Sequence, residues 1–231
     1  MTDFQLLKAE LHKLHYPPTM SEALCEVAGL AFFPGGKGTY DNSETISDKD
    51  IMVLGQDFGH EKYYADVVKD GKESETGSKT WSNLLRILDE LAIDRNNCFY
   101  TNAIMGVRRQ GKMTGKSPAF KDERFVEECR RLLLKQIEIQ KPKTIFVLGK
   151  ETAHFLPPLA EELQPWKKLG SFSVIDNDGI HTIKVKFSNG VKCTAVLLTH
   201  PSYRHVNVRL RRFQNFGGND AELAMIRAAR K

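Results

Sequence analysis

The stretch Cys129 to Gly149, CRRLLLKQIEIQKPKTIFVLG, holds the joint that decides the fold. Its first half continues a helical pattern of Phe125, Cys129, Leu132, Leu133, Gln136, Ile137 and Gln140 on one face. Pro142 stops that helix, because its ring and missing N–H cannot extend the turn. Thr144–Leu148 then runs apolar without alternation, as a strand covered on both faces does. A helix, a sharp stop and a buried strand form the repeating joint of an α/β sheet.

The same pattern recurs on either side. Ile51–Leu54, Cys98–Thr101 and Val196–Leu198 read as further strands. Between the first two, Trp81, Leu84, Leu85, Leu88 and Leu91 recur at helical spacing. His181–Phe187 and Val191–Leu198 flank Ser188-Asn189-Gly190, a hairpin turn. The expected architecture is a three-layer α/β/α sandwich. Its central sheet is mainly parallel and four-stranded, with a small β-hairpin extension. One domain over residues 1–231 is expected, with its core at about 50–212. Met1–Leu14 reads as an amphipathic helix with Leu6, Leu7, Leu11 and Leu14 on one side. Phe58–Lys79 and Val107–Lys121 read as long loops, the second carrying Arg108, Arg109, Lys112, Lys116 and Lys121.

Composition narrows the classes. Hydrophobic residues make up 41% of the 231, enough to fill a core. No apolar run approaches the roughly 18 residues of a membrane helix. The N-terminus lacks a cleavable signal pattern, so a cytoplasmic location is expected, nucleoid-associated in a bacterium. The formal charge is +5. From His200 onward the cations are Arg204, Arg209, Arg211, Arg212, Arg227, Arg230 and Lys231, against Asp220 and Glu222. Such a segment suits a polyanion binder or a solvated basic helix. Cys25, Cys98, Cys129 and Cys193 include no CxxC pair, so no zinc or iron–sulfur site is expected. They fit free thiols in a reducing compartment, with Cys98 and Cys193 in apolar runs.

In an open α/β sheet, ligands bind where the strands end. After the first strand comes Gly55-Gln56-Asp57-Phe58-Gly59-His60, and immediately after the second comes Asn102. Gly149-Lys150-Glu151-Thr152 follows the third strand, and His200-Pro201-Ser202-Tyr203-Arg204 follows the last. Three strands thus deliver an Asp, an Asn and a His to one edge.

These residues carry a specific resemblance. Gly55-Gln56-Asp57-x-x-His60 is similar to the water-activating motif of uracil-DNA glycosylases, and His200-Pro201-Ser202 to their DNA-intercalating motif. A strand ending in Asn lies between the two motifs in that superfamily, as Phe99-Tyr100-Thr101-Asn102 does here. Cys129–Gly149 resembles the helix–strand unit of its iron–sulfur branch. The resemblance runs in order from about Asp50 to Arg212.

It implies hydrolysis of the N-glycosidic bond of uracil or a related deaminated or 5-modified base in DNA. Asp57 would hold the attacking water and steady the cationic sugar. His200 would donate to the base oxygen that gains charge. The donor and acceptor of Asn102 would read the edge of uracil. Gly55, Gln56, Phe58 and Gly59 would line the base site, with Gln56 and Phe58 giving backbone contacts and Phe58 a candidate to stack. Tyr203 and Arg204 fall at the wedge that fills the gap left by a flipped base. Ser202, and Thr80 and Ser82 at a helix start, are candidate phosphate contacts; capping the helix is the plainer role for the last two. The implied partner is DNA containing uracil or a damaged base, with no membrane and no obligate protein partner, and a monomer is expected. No cofactor is implied, and with no lysine in the matched motifs the enzyme would be monofunctional.

The chain departs from that pattern in three places. The uracil-specific branch has a Tyr, which excludes thymine, where Gly59 stands. Of the four cluster cysteines only Cys129 is matched, with Gly106 near the place of another. The aromatic that stacks on uracil is not identifiable in Phe58–Lys79. Two other readings compete: a non-catalytic DNA-binding relative, and an unrelated nucleotide-binding protein built on Phe33-Pro34-Gly35-Gly36-Lys37-Gly38, which lacks the Lys-Ser/Thr of a phosphate loop.

Overall fold

The computed structural model describes residues 1–23, 27, 31–70, 78–109, 112 and 115–230. The strands are β1 (Met20–Ser21), β2 (Ile51–Gly55), β3 (Cys98–Asn102), β4 (Val107–Arg108), β5 (Thr144–Leu148), β6 (Thr182–Lys186), β7 (Lys192–Leu198), β8 (Arg212–Phe213) and β9 (Phe216–Gly217). The helices are α1 (Asp3–Leu11), α2 (Glu61–Asp70), α3 (Lys79–Glu90), α4 (Glu123–Gln140), α5 (Lys150–Ala153), α6 (Phe172–Asn177), α7 (Arg204–Asn207) and α8 (Gly218–Ala229).

The central sheet has the order β3-β2-β5-β7-β6. The first four strands pair in parallel, and β6 is antiparallel to β7. The expected α/β layering is present, with one change in the sheet. The hairpin is not an extension beside four strands: its first arm, β6, is the fifth strand. β6 pairs along its whole length with β7, from Thr182–Val196 to Lys186–Lys192. As an edge strand it is only partly buried, so its apolar signal is weak.

Alternate residues along the strands feed two cores. Met52, Leu54, Ile145, Val147, Ala195 and Leu197 face α1 and α4. Ile51, Val53, Phe146, Leu148, Val196 and Leu198 face α3 and α8. This two-sided burial is why the strands read as unbroken apolar runs. Helix α4 begins where Asp122 Oδ1 accepts from Phe125 N at 2.8 Å, a side-chain cap on an otherwise unpaired donor. It ends at Lys141, which adopts φ +52° just before Pro142. Helix α1 starts with a reciprocal cap between Thr2 and Gln5 and buries Phe4, Leu7 and Leu11.

The stretch Phe58–Lys79 is not simply a loop, because α2 occupies Glu61–Asp70. Tyr64, Val67 and Val68 pack toward Ala23 and Val107. That i, i+3, i+4 spacing is helical, but exposed charges and β-branched residues dilute it. Val107–Lys121 opens with β4, paired to β1, and ends in a 3₁₀ turn at Pro118–Lys121. Among the described residues no helix is long and apolar enough to cross a membrane.

The strand order sets the site. β3 lies on one side of β2 and β5 on the other, so the connections diverge at the C-terminal end of β2. A crevice opens at such a switch point.

Candidate active site

A cleft of about 630 Å³ lies at that edge, within the range usual for small-ligand pockets. Its floor is made by the ends of β2, β3, β5 and β7, through Gly55-Gln56-Asp57, Asn102, Gly149 and His200. Phe58 and Gly59 line it as well, as do Thr80, Ser202 and Tyr203 on other walls.

Parallel pairing sets Gly55 opposite Asn102. A Cβ at position 55 would sit 2.4 Å from Asn102 Oδ1, so glycine is what lets the Asn side chain lie across the strand end. Gly149 does the same for His200. It holds φ +87°, and a Cβ there would meet His200 Cβ at 3.0 Å.

His200 has a defined donor. Its Nδ1 lies 2.8 Å from Ser202 Oγ and accepts from Ser202 N at 3.3 Å. A neutral imidazole bonded in this way carries its proton on Nε2. Burial pushes the imidazole down to about 4; Asp57 opposes the shift and Arg108 adds to it. At neutral pH the group is therefore an uncharged hydrogen-bond donor, suited to an oxygen that gains charge during reaction.

The Asp57 side chain is almost fully enclosed. Its Oδ1 accepts from Gly59 N at 2.9 Å, and its Oδ2 from Arg108 Nε at 2.7 Å. The Asp57 and Arg108 side chains are each 3% exposed. Each carboxylate oxygen retains a second lone pair that a water could use. Gly59 sits at φ +74°, a conformation in which side chains are strained.

Two candidates lie apart from the cleft. Ser82 is exposed on α3 and does not line it. The helix cap is Ser78, whose side chain accepts from Trp81 N, so neither Thr80 nor Ser82 has that role. Arg204 is turned inward and is 2% exposed, paired with Glu222 and bonded to Thr199 Oγ1 at 3.2 Å. Of the two wedge candidates, only Tyr203 faces solvent, at 41%. Val206 and Leu210 are exposed nearby.

The basic C-terminal segment is thus less a surface feature than its composition suggests. Arg204 and Arg211 are both internal, and burial pulls each guanidinium down to about 10. Asp176 Oδ1 lies 3.2 Å from Arg211.

Several contributors were not singled out in the sequence. Glu222 Oε1 accepts from Thr199 N at 2.6 Å, directly before His200. Asn83 Nδ2 donates to Pro201 O at 2.9 Å, directly after it. Glu222 stands as one of two anions in a cationic stretch, which is the signal it offers. Phe32 lines the cleft beside Trp81 and Tyr100, with ring centroids 5.9 and 5.6 Å away. It supplies an aromatic wall from a segment preceding β2, outside the stretch where a stacking residue was sought. The neighbouring glycine-rich segment packs on the sheet. A Cβ at Gly38 would overlap the Phe99 ring, and Lys37 pairs with Glu44 at 2.9 Å.

Among the described residues no group of three or more His, Cys, Asp or Glu could hold a metal. Cys129 lies in the core, where burial pushes its thiol up to about 12. A cluster needs several thiolates together, so the described side chains do not fit one; Cys25 lies outside the described residues.

The family model of the uracil DNA glycosylase superfamily matches residues 44–218. That is well over half of the chain, and the protein belongs to this superfamily, whose members are generally DNA glycosylases. No curated protein matches the chain.

Neutral His200 also makes stability pH-dependent. The unfolded imidazole takes a proton below about 6.5, while the buried one waits until about 4. Stability is therefore full above about 6.5 and falls as pH drops toward 4, by up to about 3 kcal/mol for such a shift. His181 adds a like effect, since burial also lowers it to about 4. The melting temperature is expected to fall between pH 7 and pH 4.5, and by less in His200→Gln than in the wild type.

Proposed function

We propose that the protein is a monofunctional DNA glycosylase. It hydrolyses the N-glycosidic bond of uracil, or of a related deaminated or 5-modified base, in DNA. The observation that supports this reading most is the meeting of Asp57, Asn102 and a neutral, donor-bearing His200 in one cleft.

The roles follow from chemistry. The base is drawn out of the duplex into the cleft, and Tyr203 fills the vacated space, with Val206 beside it. The C1′–N1 bond breaks and its electron pair leaves with the base. His200 Nε2–H donates to the carbonyl that accumulates this charge. Asp57 orients the water that bonds to C1′, takes up the proton that water loses, and offsets the cationic character of the sugar. Asn102 presents one donor and one acceptor to the base edge, a pattern matching uracil and opposed to cytosine. Phe32 and Phe58 offer aromatic surface to the ring. Ser202 and Thr80 contact backbone phosphates. No cofactor takes part, and the protein acts as a monomer in the compartment that holds DNA.

Gly59 adds a point of specificity. Where a tyrosine would block position 5 of the pyrimidine, this chain has only backbone, in a conformation that resists any side chain. Duplexes carrying U:G, T:G and 5-hydroxymethyl-U:G, followed by alkali cleavage, test both points. Release of uracil supports the function. Release of at least one 5-substituted base is expected from the open position, and rejection of both contradicts that role for Gly59.

A further inference from the structure

Arg108 is buried at the end of β4, which pairs with β1 in a two-stranded sheet apart from the central one. A guanidinium taken out of water is costly unless its donors are met. Here Nε donates to Asp57 Oδ2 at 2.7 Å and Nη2 to Gln56 Oε1 at 3.0 Å. Nη1 donates to Lys112 O at 2.8 Å, and Nη2 also to Gly115 O at 3.0 Å. One planar fork thus holds two consecutive side chains of the cleft floor and two carbonyls of the following loop.

The bond to Gln56 fixes more than a position. A guanidinium has donors only, so the carboxamide must turn its oxygen toward Arg108. Its Nε2 is left as the other end, buried and without a hydrogen-bond partner among the described residues. An unmet buried donor beside a cleft is unfavourable in the empty site and is relieved by an acceptor such as a base carbonyl.

We propose that Arg108 is a positioning residue for base removal, acting through Asp57 and Gln56. It clamps the Asp57 carboxylate at one angle and sets the Gln56 carboxamide with Nε2 as the free donor for a carbonyl oxygen of the extruded base. The proposal rests on the glycosylase reading given above. Support for the loop through Lys112 and Gly115 is the alternative role, and it predicts a loss of activity independent of Asp57 and Gln56.

Two double-mutant cycles separate the roles. Single-turnover base release from a uracil duplex is measured for Arg108→Met, Asp57→Asn, Gln56→Ala and the two pairs containing Arg108→Met, with thermal melting as the check on folding. Arg108→Met is expected to slow release on the order of tenfold, and in each partner's background its effect should shrink by at least about threefold. Arg108→Lys should recover only part of the rate, because a point charge reaches Asp57 but cannot span both side chains. If the Met variant does not fold, Arg108→Lys carries the same cycles. Equal losses in every background overturn the positioning role while leaving the glycosylase intact. No release by the folded wild type from the uracil, T:G or 5-hydroxymethyl-U:G duplexes removes the glycosylase reading and this proposal with it.

Discussion

His200→Ala is expected to lower the single-turnover rate of base release by about 10²–10³-fold while leaving DNA affinity nearly unchanged. The imidazole is neutral, so its contribution is one oriented hydrogen bond rather than a charge. Such a bond strengthens as the leaving base becomes anionic, and it therefore acts on the transition state more than on binding. The orientation comes from Ser202, which occupies Nδ1 on both its backbone and side-chain sides. It also comes from Gly149, which leaves room for His200 Cβ. A rate measured at saturating enzyme, alongside duplex binding by fluorescence anisotropy, separates the two quantities. Equal weakening of binding and rate would show that His200 merely holds the DNA.

Asp57→Asn carries the larger expected loss, about 10²–10⁴-fold, the range for removing a positioned general base. The substitution keeps the size but only one of the two acceptors, so either Gly59 N or Arg108 Nε then faces an NH2 donor. It removes the charge that faces the sugar and leaves Arg108 buried without its ionic partner. That unpaired guanidinium is expected to cost stability as well, about 3–5 kcal/mol where a buried pair is broken outright and less here because the amide oxygen still accepts a bond. A lower melting temperature with retained DNA binding is the expected signature.

The parallel strands and the three residues at their ends were legible in the sequence because both are local. Each strand is a short apolar run, and each candidate residue lies within three positions of the end of one. What escaped was set by distant partners. β6 carries alternating polar residues, and its place in the sheet depends on pairing with β7 rather than on its own composition. Arg204 stands within the motif after the last strand, yet its direction is fixed by Glu222, on a helix that begins well after it. Arg108 sits among basic residues in a stretch that reads as a long loop. Its burial follows from Asp57, 51 residues earlier in the chain. The helix α2 was obscured for a different reason: its single apolar stripe covers only a small satellite core.

The central claim is that this cleft breaks an N-glycosidic bond using Asp57. A labelled oligonucleotide with a single uracil, incubated with the wild type or with Asp57→Asn and then cleaved at abasic sites by alkali, tests it most directly. Strand cleavage with the wild type, reduced at least about 10²-fold in the variant, is the result this account predicts. Equal cleavage by both proteins would contradict the role of Asp57, and none by the folded wild type on uracil in any pairing context would contradict uracil as the substrate and favour a different damaged base or a DNA-binding relative without this chemistry.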